Sequence, residues 1–469
     1  MGMYIEKVSI YSIPMETRMP FRFGIATLRS LPHVFVVAEL NLDGEVYTGV
    51  SADGLAPKWF TKNPETSPDD DIEELRTIIE TAARHAVEMA PAQSPFALWQ
   101  GLYAKQQAWG ASLGLPPLLW NFGVTLLERA VIDAFCRGKA TTFGRAVRDN
   151  HLRIDLGWFH PEFSQNTPAD FLPAATQSTV KVRHTVGLSD PIFVEEAGDD
   201  SIDDGLPVSL ESSIHRYGVQ YFKIKISGNL QEDAERLERI SRCLKGVFYF
   251  SLDGNECFHD PLELPRYYAH MHESFPEFFS HMLFIEQPLH RKFAVADQTR
   301  EAFSAWTRKP AVIIDESDGE LSSLSQALSC GYNGTSYKSC KGVFKGIANA
   351  CRIRHLVSLG KSMILSGEDL ANVGPVALLQ DCVVAATLGI EHLERNGHHY
   401  FRGMSMFPQN IQRDLIRIHG DLYTQHDDGF ATLLIRNGAI STKSLHEAPF
   451  GYSIDLPLGD FTRIFFVTR

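Results

Sequence analysis

The sequence predicts an α/β fold, a modified TIM barrel with an α+β domain beside it, and the first evidence lies in the middle of the chain. Five short segments there end in a charged residue with Gly, Pro or Ser close behind, and four of the five are strongly apolar. The segments are 221–225, 250–256, 283–289, 312–317 and 335–342. Short apolar runs of this kind are typical of buried parallel strands.

The spacing of the charged residues is the second observation. Lys225, Asp253, Glu286, Asp315 and Lys338 follow one another at intervals of 28, 33, 29 and 23 residues. One strand, one helix and two loops take about 30 residues, and helical patterns separate the charged positions. The chain is therefore predicted to repeat a βα unit, with a charged residue at the carboxyl end of each strand, where a TIM barrel keeps its active site. A doubly wound open sheet, the alternative, usually has a Gly-rich phosphate turn, and the sequence shows none.

Composition narrows the range of functions. The chain has 469 residues, enough for two domains, and a net charge of -13, which argues against binding to nucleic acid or anionic membranes. No 18-residue apolar run and no signal peptide are found. The seven cysteines are scattered, without a Cys-x-x-Cys pair, which predicts a reduced, cytoplasmic protein.

Residues 1–150 are predicted to form the α+β domain. Segments 4–13 and 34–42 look like antiparallel strands, and Asp43-Gly44 is a hairpin turn signal. Helices are expected to begin near residues 72 and 117. The aromatic segment 18–26 is expected to be a loop, which either packs on its own domain or covers a pocket with Phe21 and Phe23.

The rest of the chain divides into three predicted parts. Residues 151–175 lack periodicity and are interpreted as a linker or insertion. Residues 176–410 would form the barrel, with its first, seventh and eighth strands at 179–188, 362–368 and 388–393. Residues 411–469 are expected to return to the N-terminal domain.

The second barrel strand places two lysines together. Lys223 and Lys225 are two residues apart and therefore point to the same side of the strand, into the barrel mouth. Mutual repulsion and burial are both expected to lower a lysine pKa, which would make one of the two a base near neutral pH. The alternative is a pair of surface lysines on an edge strand, but the flanking apolar residues argue for burial.

Three carboxylates end the next three strands. Asp253, Glu286 and Asp315 would repel one another at one barrel mouth unless a cation bound them, and oxygen ligands suit Mg²⁺. Asn255 shares a face with Asp253 and is a candidate for contact with the ligand or metal. Glu316 is expected to face away from Asp315, by strand alternation.

The sixth strand ends in Lys338, across the barrel from the second strand. Lys225 and Lys338 would therefore flank a metal-held substrate, and the pair could take a proton from one face and return it to the other. Lys341 could lie over the site, although a loop facing solvent is the favoured prediction. Glu368, which ends strand seven, is a further candidate for contact with the substrate or support of the site.

These motifs resemble those of the enolase superfamily, in the mandelate racemase/muconate lactonizing enzyme group. The resemblance covers nearly the whole chain and rests on five short motifs, of the second to the sixth strand. They are Lys223-Ile-Lys225, Asp253-Gly-Asn255, Glu286-Gln-Pro288, Asp315-Glu-Ser317 and Lys338-Ser-Cys-Lys341-Gly342. The resemblance implies that the N-terminal domain caps the barrel and that Asp253, Glu286 and Asp315 bind Mg²⁺. It further implies that Lys225 and Lys338 are the acid/base pair, with Lys223 tuning Lys225, and that the α-proton of a carboxylate is removed to form a metal-stabilised enolate.

Several reactions remain open after that step. Lysines on both faces favour a racemase or epimerase of N-acyl amino acids or dipeptides; a cycloisomerase or an o-succinylbenzoate synthase-type lyase is the alternative. An acid-sugar dehydratase is disfavoured, because strand seven carries no His. A non-catalytic barrel scaffold is the alternative from another class.

The eighth strand leaves the substrate undecided. Glu391 or Glu394 could replace the Asp-x-Asp with which dipeptide epimerases hold an α-ammonium group. His398 and His399 are expected to be loop residues first and substrate contacts second. A small carboxylate substrate is expected, no nucleic acid or membrane partner, and a homo-oligomer is left open.

Overall fold

The computed structural model describes residues 2–197 and 202–469, and the N-terminal part holds three long strands and five helices. The strands are β1 (Met3–Phe23), β2 (Ala26–Leu42) and β3 (Glu45–Gly54). The helices are α1 (Pro68–Val87), α2 (Pro95–Ser112), α3 (Pro117–Gly138), α4 (Phe143–Arg148) and α5 (Leu156–Phe159).

Strands and helices then alternate. The strands are β4 (Thr179–Val186), β5 (Tyr221–Lys225), β6 (Tyr249–Asp253), β7 (Met282–Glu286), β8 (Val312–Ile313), β9 (Gly334–Tyr337), β10 (Ile364–Gly367) and β11 (His392–Arg395). The helices among them are α6 (Leu210–Tyr217), α7 (Leu230–Cys243), α8 (Glu263–Ser274), α9 (Pro276–Phe279), α10 (Arg291–Ala294), α11 (Asp297–Ala305), α12 (Ser323–Ser329), α13 (Val343–Ser358) and α14 (Ala377–Leu388).

The C-terminal part adds two helices and four short strands. They are α15 (Gly397–Tyr400), α16 (Gln409–Ile418), β12 (Tyr423–Gln425), β13 (Ala431–Leu433), β14 (Ala439–Ser441) and β15 (Thr462–Thr468).

β4 to β11 form a parallel barrel, which confirms the predicted fold class. Their hydrogen-bonded order is β8-β7-β6-β5-β4-β11-β10-β9. A parallel bridge between Ile314 and Thr335 joins the two ends of this series, just beyond β8. Charged residues at the carboxyl ends of these strands are thereby brought to one mouth.

The N-terminal domain is an antiparallel sheet packed on helices. The strand order is β15-β1-β2-β3, so the last strand of the chain pairs with the first. The C-terminal segment thus contacts the N-terminal sheet, as the sequence predicted. The proposed boundaries at residues 150, 175 and 410 stay predictions.

Segment 18–26 is a β-hairpin, so the predicted loop is wrong. β1 continues to Phe23 and β2 starts at Ala26, with Phe21 opposite Leu28. Gly24 has φ +49°, the left-handed backbone that glycine adopts freely, and it allows a two-residue turn. The register is interrupted between Glu16 and Phe21, where Pro20 cannot donate a ladder hydrogen bond.

Element boundaries differ from the predictions by a few residues elsewhere. α1 starts at Pro68, four residues earlier than expected, because Ser67 caps it and accepts a hydrogen bond from Asp70 N at 3.2 Å. The eighth barrel strand starts at His392, because α14 continues to Leu388. No helix among the described residues is long and apolar enough to cross a membrane.

Candidate active site

The register of adjacent strands places charged residues side by side at one end of the barrel. Lys225 on β5 is opposite Asp253 on β6, and Asp253 is opposite Glu286 on β7. Asp315 lies two residues beyond β8, the next strand. All four side chains are buried. The predicted base and the three predicted metal ligands therefore lie at the same mouth.

Lys223 lies deeper in the barrel and is surrounded by carboxylates. Its Nζ lies 2.6 Å from Glu368 Oε2, 2.9 Å from Glu286 Oε1, 3.0 Å from Asp253 Oδ2 and 3.0 Å from Glu394 Oε2. Burial lowers the pKa of Lys223, but these carboxylates outweigh it and raise the pKa well above its ordinary value. The expected depression of the lysine pKa by a neighbouring lysine is therefore wrong for Lys223, which is the counter-ion of the cluster.

Lys225 lies nearer the mouth and is oriented by two side chains. Its Nζ donates to Asp253 Oδ2 at 2.6 Å and to Asn255 Oδ1 at 2.8 Å. Asn255 Nδ2 in turn donates to Glu316 Oε1 at 3.0 Å, and Lys62 of the capping domain reaches the same oxygen at 3.3 Å. Asn255 and Glu316 thus fix the direction in which Lys225 points.

Lys338 faces the same mouth from the other side. β5 and β9 are four strands apart in the eight-membered ring, so Lys225 and Lys338 lie across the barrel from each other. Lys338 Nζ donates to Asp315 Oδ2 at 2.7 Å and lies 4.4 Å from the ring centroid of Trp59. Burial lowers the pKa of Lys338, but Asp315 raises it well above its ordinary value. Lys338 is consequently held as an ammonium ion in this state.

Lys341 is buried, so the prediction of a solvent-facing loop is wrong. The 3-10 turn Ser339–Lys341 brings the side chain back over β9. Its Nζ donates to Ser336 O at 2.5 Å, to Ser336 Oγ at 2.8 Å and to Asp315 Oδ1 at 3.1 Å. Burial raises the pKa of Asp315, but Lys338 and Lys341 hold it well below its ordinary value.

The unpartnered carboxylate oxygen of Glu286 indicates where a metal ion would bind. Its Oε2 is buried and has no hydrogen-bond partner among the described residues, and burial together with Glu368 raises its pKa well above the ordinary value. Three carboxylates on neighbouring strands, one of them with a free oxygen, are a donor set that suits Mg²⁺. In this structure Asp253 and Asp315 are hydrogen-bonded to lysines. Among the described residues, no group of three Asp, Glu, His or Cys side chains is arranged to hold a metal ion as it stands. The residues fit the ion chemically, provided that the two aspartates exchange lysine contacts for it.

Arg183 is a site residue that the sequence reasoning missed. It is fully buried on β4, donates to Ser251 Oγ at 3.1 Å and Ser366 Oγ at 2.8 Å, and pairs with Glu368. A charged residue in the interior of the predicted first strand was the available signal. Glu368 was expected to support the site, and it lies between Arg183 and Lys223.

A cavity lies between the barrel mouth and the capping domain, with an empty volume of ≈ 390 Å³. Capping-domain residues form one wall: Phe21, Phe23, Leu28, Ala56 and Trp59. Barrel residues form the other: Lys223, Lys225, Asn255, Lys338, Asp369, Leu370, Ala371, Glu394 and Asn396. Both predicted lysine bases and both predicted phenylalanines thus line one cavity.

His398 and His399 are buried in α15, so the prediction of loop residues is wrong. His398 Nε2 lies 3.2 Å from His184 Nδ1, and His399 packs on the same ring at a centroid distance of 4.9 Å. His184 alternates with Arg183 on β4 and therefore points away from the barrel interior. Neither His398 nor His399 is among the residues that line the cavity.

Solved structures share this architecture. An N-succinyl Arg/Lys racemase from Bacillus cereus superposes with a TM-score of 0.60 and 15% identity, covering 99% of each chain. A muconate lactonizing enzyme from Pseudomonas fluorescens, complexed with muconolactone, superposes with a TM-score of 0.61 and 14% identity, covering 99% of this chain and 100% of the other. A dipeptide epimerase from Enterococcus faecalis, complexed with Mg and L-Leu-L-Tyr, gives 0.58 and 13% over 85% and 92%.

These neighbours define the class of fold: the capped, modified TIM barrel of racemases, epimerases and lactonizing enzymes. The mandelate racemase/muconate lactonizing type is the particular form that recurs among them. The resemblance expected from the sequence is confirmed at the level of the fold. A scan against protein-family models and a search of curated protein sequences find no match.

Proposed function

We propose that the chain is a Mg²⁺-dependent enzyme that removes the α-proton of a carboxylate substrate, acting as a racemase or epimerase. The observation that carries this proposal is the position of Lys225 and Lys338 on opposite sides of one cavity. Each lysine is bonded to a carboxylate that ends a neighbouring strand. A substrate carbon between them would have an acid or base on each face.

Asp253, Glu286 and Asp315 are the proposed ligands of the ion. When bound, Mg²⁺ would supply positive charge next to the substrate carboxylate, where negative charge increases as the proton leaves. General base catalysis by a lysine contributes about 10²–10⁴-fold, and enzymes lower barriers by about 8–23 kcal/mol. A lysine alone therefore falls short, and electrostatic stabilisation is needed as well.

The charge balance of the site supports a divalent cation. Five carboxylates and five cationic side chains are buried there and form two groups of ion pairs, seven side chains around Lys223 and three around Asp315. They are Asp253, Glu286, Asp315, Glu368 and Glu394, with Arg183, Lys223, Lys225, Lys338 and Lys341. The formal charges cancel, so a bound Mg²⁺ would add two positive charges. One substrate carboxylate and the loss of one proton from the lysine that acts as the base would offset them.

The protein's own groups have distinct parts in the proposed reaction. Lys225, positioned by Asn255, takes or returns the proton on one face, and Lys338 does so on the other. Lys223 neutralises the carboxylates beneath them. The capping-domain residues Phe21 and Trp59 exclude water from the mouth.

The compartment proposed for this activity is the cytoplasm. All seven cysteines lie in the described part of the chain and none forms a disulfide there. Free thiols are the rule in reducing compartments.

Hydrogen–deuterium exchange tests the proposal. The wild-type protein is incubated with Mg²⁺ in D₂O and with both enantiomers of N-acyl amino acids, dipeptides and acid sugars. Deuterium entering the α-position of recovered substrate supports the racemase or epimerase. Loss of water from an acid sugar would favour a dehydratase instead, and a ring-closed isomer a cycloisomerase. Calorimetry that finds no Mg²⁺ binding, with Glu286→Gln as the matched control, would contradict the proposal.

A further inference from the structure

The side-chain amide of Asn396 is buried in the cavity wall without a partner. Asn396 follows β11, is 2% exposed and lines the cavity, and its Oδ1 has no hydrogen-bond partner in the described structure. Leaving a buried polar atom unsatisfied costs about 1–3 kcal/mol. An amide held in this way is therefore matched to a polar group that enters the cavity.

The backbone around Asn396 is firmly held, so the free amide does not result from a loose loop. Its N–H donates to Asp369 Oδ2 at 3.1 Å, and its carbonyl accepts from His399 N at 2.9 Å and Tyr400 N at 3.1 Å. Arg395 pairs with Asp369 and anchors the loop after β10 to the end of β11. The backbone that carries the Asn396 side chain at the cavity wall is thus fixed.

The two charged groups of the cavity wall beside Asn396 are already paired. Asp369 is paired with Arg395, and Glu394 with Lys223 at 3.0 Å. Glu394 also accepts from Thr185 Oγ1 at 2.7 Å. A second charge on the substrate, such as an α-ammonium or a distal carboxylate, would therefore be buried without a counter-ion, which is costly.

Two other parts of the cavity wall are apolar. Phe21, Phe23 and Leu28 come from the capping hairpin, and Leu370 and Ala371 from the loop after β10. Phe21 is stacked on Tyr400 at a centroid distance of 4.1 Å, which fixes this side of the wall. These surfaces suit uncharged hydrocarbon groups.

We propose that Asn396 binds the amide of an N-acyl amino acid whose acyl group and side chain are both uncharged, and that it determines this specificity. A carboxamide offers one acceptor oxygen and two N–H donors, which match the N–H and C=O of a secondary amide. The inference rests on the proposed function, because it concerns the substrate of the same site. In this proposal the substrate contact at the end of the eighth strand is the uncharged amide of Asn396. An acidic pair at that place would instead hold an α-ammonium group.

Matched substrates test the inference. Values of kcat/KM for α-deuterium exchange with Mg²⁺ are compared for N-acetyl-leucine, N-succinyl-leucine, glycyl-leucine and free leucine. We expect the N-acetyl compound to exceed each charged analogue at least about tenfold, because each analogue would bury an unpaired charge.

Two variants of Asn396 sharpen the comparison. Asn396→Leu keeps the branching at Cγ but removes both hydrogen-bonding groups, and it should lower kcat/KM for N-acetyl-leucine by about 10–100-fold. Asn396→Asp should shift the preference toward glycyl-leucine. Mg²⁺ affinity and the melting temperature should stay at wild-type values in Asn396→Leu, which a structural role for Asn396 would not allow.

The possible outcomes distinguish a failure of this inference from a failure of the proposed function. Exchange of N-succinyl-leucine or glycyl-leucine as fast as N-acetyl-leucine, or an unchanged kcat/KM in Asn396→Leu, would overturn the inference and leave the proposed function intact. Absence of exchange from every compound of the wider panel would contradict the proposed function and with it this inference.

Discussion

The side of the cavity that carries Lys225 is built differently from the side that carries Lys338. On one side Lys225 contacts Asp253, which ends the neighbouring barrel strand, and Asn255, two residues beyond it. On the other side Lys338 contacts Asp315 and lies under the ring of Trp59, which belongs to the capping domain. The cap therefore contacts Lys338 directly through Trp59, whereas on the Lys225 side it contacts only the supporting residues, through Lys62.

The loop after Lys338 is also held by the capping domain. Glu128 on α3 accepts hydrogen bonds from Val343 N at 3.0 Å and Phe344 N at 2.6 Å, at the start of α13. Asn121 on the same helix donates to Lys341 O at 3.3 Å. Changes in the cap should consequently disturb the Lys338 side more than the Lys225 side.

Lys223 lies deeper in the barrel than Lys225 and Lys338. Its substitution should have the largest effect on the free energy of unfolding. Lys223→Met would leave four buried carboxylates without their shared counter-ion, so the free energy of unfolding should fall by about 3–5 kcal/mol. Denaturant unfolding measures this, with the exposed Lys443→Met as the matched control. A loss of less than 1 kcal/mol relative to that control would show that the cluster does not depend on Lys223.

Glu128, on the Lys338 side of the cavity, should make the free energy of unfolding depend on pH. Burial raises the pKa of Glu128 from 4.5 to about 7. The folded state therefore binds the proton more tightly than the unfolded state, and this stabilisation is present below pH 4.5 and is lost as the pH rises to about 7. Relative to Glu128→Gln, wild-type stability should fall by roughly 3 kcal/mol across that window.

Unfolding curves at several pH values measure that difference. The exposed Glu65→Gln serves as the control and should follow the wild type at every pH. Parallel stability profiles for the wild type and Glu128→Gln would contradict the assigned role of burial at Glu128.

Trp59 should have a smaller effect that is confined to one side. Its ring stabilises the ammonium form of Lys338, and a desolvated contact of this kind contributes about 1–2 kcal/mol. Trp59→Leu should therefore lower the pKa of Lys338. The pH dependence of exchange from the enantiomer that Lys338 serves should shift by about one pH unit toward lower pH, and that of the other enantiomer should stay nearly unchanged. Trp158→Leu, at a half-exposed tryptophan, is the control. Equal shifts of the pH dependence for both enantiomers would remove the distinction between the two sides.

The strand ends of the barrel were predictable from the sequence because each short apolar run ends in a charged residue. Strand alternation correctly placed Lys223 and Lys225 on one face, and the repeat length placed Lys338 across the barrel. The roles of these residues stay predictions until the reaction is measured.

Contacts between distant segments could not be predicted in this way. Lys341 was expected in solvent because no local pattern shows that Ser336 and Asp315 would surround it. The elevated pKa of Lys223 depends on four carboxylates from four other strands. The unpartnered amide of Asn396 becomes apparent only when the cap encloses the cavity.

The most direct test of the account is enantiomer-specific exchange in D₂O by Lys225→Ala and Lys338→Ala. With Mg²⁺ and an N-acyl amino acid, each variant should lose exchange from one enantiomer by about 10²–10⁴-fold and retain exchange from the other, in opposite senses. Loss of the same enantiomer in both variants, or unchanged exchange in either, would contradict the proposal that the two lysines act on opposite faces of one substrate.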